Sequence, residues 1–145
     1  MEILFGIVGC ITGIAGTIFG IISLTNSRIE AVNEYLKNDR DPAFIDVRKI
    51  VYSLPDNYDP KKVDEEIGAK IALLIISYQQ AAILVKHKQL PFWLFKNNVS
   101  GHALTELFDK LKPFIEYRRE KNPCYAKEYE GLCDRIKKEI HNKAY

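Results

Sequence analysis

The sequence predicts an all-α protein with a single N-terminal transmembrane helix followed by a compact cytoplasmic helical bundle of about four to five helices. Three observations predict it. Residues 3–24 (ILFGIVGCITGIAGTIFGIISL) carry no charge and are apolar almost throughout. The remainder repeats apolar residues three and four apart, and no stretch sustains an alternation of period two. The pairs Asp41-Pro42, Asp59-Pro60 and Asn122-Pro123 divide that remainder in the manner of helix starts.

At about 1.5 Å per residue the first run makes a helix of roughly 33 Å, enough to cross a hydrocarbon core of ~30 Å. Residues 1–25 are therefore read as the transmembrane helix, 26–40 as its juxtamembrane extension and 41–145 as the cytoplasmic domain. Gly6, Gly9, Gly13, Gly16 and Gly20 fall 3, 4, 3 and 4 residues apart. On a helical wheel they occupy an arc of about 80°. Ile7, Ile11, Ile14, Ile18 and Ile22 lie opposite. A groove of small residues lets two helices approach closely, so the glycines are the expected oligomerisation site. Their mean period favours a left-handed crossing.

A cleaved signal peptide fits poorly. No Lys or Arg precedes the run, the run is long, and no A-x-A site follows. All 21 Lys and Arg residues come after residue 27. The charge bias therefore predicts a single-pass protein of the cell membrane, N-terminus outside and C-terminal domain cytoplasmic. Cys10 falls in the membrane, and Cys124 and Cys133 do not resemble a secreted disulfide framework.

Residues 26–38 continue the first helix, with Ile29, Val32 and Leu36 on one face. Asp41 and Pro42 open the next, which buries Phe44, Val47, Ile50 and Val51 and closes at Pro55. A third helix is expected from Pro60 to about residue 87. Its centre, 67–85, is apolar nearly all round, which suits a buried bundle helix or a second span. Lys70, Gln79 and Gln80 favour the buried helix. Residues 91–97 (PFWLFKN) form a short aromatic helix or turn. Phe92, Trp93 and Phe95 either plug one end of the core or lie at the headgroup layer, and core packing is the preferred reading. Asn98 or Ser100 caps a helix over 101–121, with a kink expected at Pro113. Asn122-Pro123 starts the last helix, 124–142, with Tyr125, Tyr129, Leu132, Ile136 and Ile140 inward.

The charge outside the membrane run is too balanced for a dedicated nucleic-acid binder. His87, His102 and His141 show no metal-pair spacing, and Cys124, Cys133 and His141 lack that of a zinc module. There is no G-x-S-x-G elbow and no phosphate-binding glycine loop. No catalytic residue, metal or cofactor is expected. The candidate interaction surface is Trp93 with Arg118 and Arg119, the arginines offering cations to a carboxylate, a phosphate or an anionic headgroup. The basic run 135–143 could lie against the inner leaflet.

FIDVRKIVYSLP (44–55), SYQQAAILVKHKQL (77–90) and LKPFIEYRREKNPCYAKEYEGL (111–132) resemble a family of small bacterial proteins classed only as a domain of unknown function. The resemblance implies a short N-terminal anchor and a helical cytoplasmic domain, with no activity to transfer. The function expected is a self-associating, non-enzymatic scaffold in contact with membrane lipid. Its helices would pack in the bilayer, and its bundle would bind a protein partner or its own copies. The alternative is a membrane-perturbing effector of the phage-defence, stress or toxin type.

Overall fold

A computed structural model describes the backbone of residues 2–96 and 99–142 and, within those ranges, the side chains from Gly16 onward. The described residues form α1 (Glu2–Asp39), α2 (Pro42–Ser53), α3 (Glu65–Lys86), α4 (Val99–Arg119) and α5 (Lys127–His141), with no strand among them.

Helix α1 is 38 residues long and passes residue 25 without a break. Every described residue from Gly16 to Glu30 is exposed. Val32 and Tyr35, in the last turns, pack on the core. The segment 3–15 of the expected span lies outside the described side chains. At the corner into α2, Asp41 behaves as expected: its carboxylate accepts from the Ala43 N–H at 2.8 Å, and Pro42 takes the first helical position.

The third helix starts later than expected. Asp59-Pro60 caps only a one-turn 3-10 helix, Pro60–Lys62, with the Asp59 carboxylate accepting from the Lys61 N–H. Val63 is extended, and Asp64 is the true cap of α3, accepting from the N–H groups of Glu66 and Ile67. Glu65 and Glu66 in the first turn and Lys86 in the last suit the macrodipole. α3 is the one helix among the described residues long and apolar enough to cross a membrane, and 33% of its apolar window is buried inside the fold. Ile71, Leu74, Ile75, Tyr78, Ala82 and Val85 turn inward, whereas Leu73, Ile76 and Ile83 are exposed.

The last two helices also differ from expectation. α4 begins at Val99, so Ser100 sits in its first turn instead of capping it, and Asn98 lies outside the described residues. The helix runs through Pro113 to Arg119. α5 begins at Lys127, not at 124. Asn122 makes a turn, its side chain accepting from the Cys124 N–H and its carbonyl from the Tyr125 N–H. Ala126 then takes a left-handed conformation, φ 56°, which no helix tolerates in its interior. Ala126 offers α5 no capping side chain. Gln79 of α3 substitutes, its Oε1 accepting from the Tyr129 N–H at 2.9 Å.

Tyr129 is the centre of the core. It is fully buried, its hydroxyl donates to the Leu104 carbonyl at 3.0 Å, and its ring meets Phe108 edge-on. Cys133, one turn on, points its thiol at the same carbonyl. Burial pushes both groups well above their ordinary values of 10.0 and 9.0, and Tyr78 up to about 12. The consequence for stability has a definite sign. Below about pH 8 both folded and unfolded chains keep these groups largely protonated. Above it the unfolded chain releases protons that the folded chain keeps, so stability falls, by up to about 1.4 kcal/mol per group per pH unit. Urea midpoints are expected to hold below about pH 8 and drop above it, and Cys133→Ala to remove the earliest part of the drop.

Candidate functional site

A polar cluster lies where α1 meets the bundle. Arg48, from the middle of α2, sends Nη1 to Asp39 Oδ1 at 2.6 Å and Nη2 to the Asp39 backbone carbonyl. Nη1 also donates to the Tyr78 hydroxyl at 3.3 Å. Asp39 is the last residue of α1, so one guanidinium satisfies both its carboxylate and an orphan carbonyl of the helix end. Burial opposes the charge on Arg48, yet Tyr78 and Asp39 outweigh it and raise its pKa. Tyr35, one turn before Asp39, sets its ring edge against Phe95 at 5.3 Å.

Tyr35, Arg48, Tyr52, Tyr78 and Leu104 line a cleft of about 210 Å³. Burial raises the pKa of Tyr35, Tyr52 and Tyr78, so these phenols are neutral donors at physiological pH and supply no base. A paired arginine among neutral phenols holds two elements together. The expected result of Arg48→Ala is a loss of about 1.5–3 kcal/mol, because Asp39 is left half-buried without its partner. Hydrogen exchange should show the last turns of α1 losing protection while the α4 and α5 core amides keep theirs.

The residues singled out in the sequence do not converge on one place. Gly6, Gly9 and Gly13 lie outside the described side-chain region. Gly16 and Gly20 are exposed, with no atom beyond the adjoining helix backbone and neighbouring residues within 4 Å of where a Cβ would sit. Trp93 does not plug the core: it is 65% exposed, while Phe95 is buried. Phe92–Leu94 is a single 3-10 turn, with about three residues per turn, so adjacent side chains point roughly 120° apart and one faces water. Arg119 is engaged within the chain, with Nη2 2.8 Å from Glu130 and Nε donating to the Tyr125 carbonyl. Arg118 is exposed, its guanidinium 5.1 Å from the Phe114 ring centroid. Cys124 is exposed and Cys133 buried. Among the described residues no group of three or more His, Cys, Asp or Glu side chains could hold a metal ion.

One surface went unremarked in the sequence. Ala69, Leu73, Ile76, Gln80 and Ile83 are all exposed on one face of α3, spaced 4, 3, 4 and 3. That is the seven-residue period of a coiled-coil seam with one polar position. The signal is present in the sequence. It was hidden because the inward face of the same helix is equally apolar.

A family model described as "Domain of unknown function (DUF4760)" matches residues 9–136. The chain is a member of the DUF4760 family. The match begins within α1 and ends within α5, so the long helix and the bundle both belong to the DUF4760 unit. No curated protein and no solved structure matches this chain.

Proposed function

We propose that this DUF4760 protein is a membrane-anchored, self-associating scaffold without enzymatic activity. The observation that carries the reading is the uncovered half of α1. Phe19 is 72% exposed and Leu24 65%, and every described residue from 16 to 30 is exposed. An apolar helix with no cover in its own chain needs lipid or another helix. The Thr25 hydroxyl donates to the Ile21 carbonyl at 2.8 Å, satisfied within the helix as a bilayer demands. The glycines of α1 and the exposed seam of α3 share a mean period of 3.5, so both favour pairing with a like helix. The bundle then faces the cytoplasm, in line with the basic residues that follow the span.

The test is fractionation followed by mass. The chain should stay with membranes through alkaline carbonate, and in detergent its protein mass should be a fixed multiple, greater than one, of 16.7 kDa. Release by carbonate would overturn the anchor, and a monomer would overturn the assembly. Depolarisation of cells on mild overproduction would move the reading to the leak-forming effector.

A further inference from the structure

We infer that the end of the bundle bearing Lys88, Trp93 and Lys138 rests on the anionic headgroup layer of the membrane that α1 enters. This rests on the anchor proposed above and adds a second contact with the bilayer. The direction of the helices carries it. Phe44, just past the α1–α2 corner, lines one cleft with Lys70 and Leu73 and another with Leu74 and Ser77. The corner therefore sits beside the first half of α3. Ala31, two turns upstream in α1, shares the second cleft with Leu84. α1 and α3 thus run in opposite directions, and the C-terminus of α3 points back toward the apolar part of α1.

α5 runs with α3. Tyr129 pairs with Gln79, and Arg135 lies 3.8 Å over the Phe92 ring just beyond the end of α3. Further along, Glu139 meets Lys96 at 2.9 Å. The last turns of α5 therefore lie beside the turn that carries Trp93 and beside the first turn of α4. Lys88 lies about 6 Å past Leu84, and Leu24 about 10 Å before Ala31, by helical rise. The Lys88 turn then falls about 4 Å short of the level of Leu24, on the bundle side of the apolar run and within the headgroup depth.

What this end presents fits that depth. Lys88 and Lys138 are exposed, whereas Lys86 and Lys96 are paired with Glu128 and Glu139. Trp93 is 65% exposed and Val99 83%. The macrodipoles of α3 and α5 account for cations here but not for an open indole. Indole and lysine together are the side chains that the headgroup layer favours. Lys88 also holds φ 59°, a conformation suited to glycine, at the α3 C-terminus.

Trp93 is the sole tryptophan, so its fluorescence reports this end alone. The full chain is reconstituted in phosphatidylcholine vesicles with and without phosphatidylglycerol. With phosphatidylglycerol, Trp93 emission should shift to the blue, resist acrylamide and be quenched by brominated lipid. Lys88→Glu with Lys138→Glu should reverse this, each lysine contributing about fivefold to the docked ratio. Lys88→Gly should raise the denaturation midpoint yet weaken the shift, which separates docking from folding. A carbonate-resistant chain whose Trp93 stays open to acrylamide in both vesicles would overturn the inference and leave the anchor standing. Equal protection in both would overturn the charge recognition. A chain that carbonate releases but whose Trp93 is protected only by phosphatidylglycerol would overturn the anchor and leave this surface standing.

Discussion

Gly16→Ile with Gly20→Ile is expected to convert the proposed detergent-solubilised oligomer to monomer while leaving the fold intact. Within one chain both positions are open, with nothing beyond the adjoining helix backbone and neighbouring residues within 4 Å of an added Cβ, so isoleucine meets no obstacle there. Isoleucine also favours the helical state over glycine by roughly 0.5 kcal/mol per site. The lone helix is strengthened and made more apolar. Only a second helix seated in the groove would feel the added side chains, because close backbone approach is what small residues permit. Light scattering on wild type beside the double variant reads this directly. A wild-type mass retained by the variant would rule out packing along the glycines and leave the α3 seam to account for any oligomer. Leu73→Glu with Ile76→Glu would then be the variant to make.

Gly101→Ala is expected to be the most damaging single methyl in the bundle. A Cβ there would sit 2.1 Å from the Phe95 carbonyl oxygen and 3.4 Å from Ile136. The obstacle is backbone, so no rotamer change relieves it. The turn carrying Trp93 and Phe95 would have to lift off α4. Overpacking of this kind costs about 1–3 kcal/mol, and the displaced turn adds the loss of the Tyr35–Phe95 contact. A urea titration should show a lower midpoint with an unchanged slope. In contrast, Gly68→Ala would meet only Phe114 at 3.8 Å, ordinary contact, and should gain helix stability instead. Equal midpoints for the two variants would refute this account of the turn.

The helices themselves were legible because their signals are local: apolar spacing, and an aspartate or asparagine before proline. The same locality explains the errors. Asp59-Pro60 and Asn122-Pro123 were read as starts of long helices, and each makes only a turn. What ends those turns is the next backbone choice, the extended Val63 and the left-handed Ala126. Neither residue type announces it. Gln79 favours a buried helix over a span, but the sequence does not name its partner: it caps a helix 50 residues away, a partnership that exists only after packing. Arg48 was invisible as a site for the same reason. Its partners come from the end of α1 and the middle of α3, and no spacing in the sequence ties 39, 48 and 78 together. The Trp93 turn was misread because an aromatic run suggests a core plug, whereas its three-residue geometry turns one ring outward.

Because α1 is unbroken from Glu2 to Asp39 and clamped at its far end by Arg48, it behaves as a lever. Thirty-eight residues make a rod of about 57 Å, and no glycine–proline hinge lies between the apolar half and the clamp. A rod of that length cannot absorb a change of tilt in one half. Any rotation of paired α1 helices about each other would swing the attached bundles through the same angle. The displacement would grow with distance from the pivot, so the bundles of an assembled protein would register small rearrangements among helices they never touch.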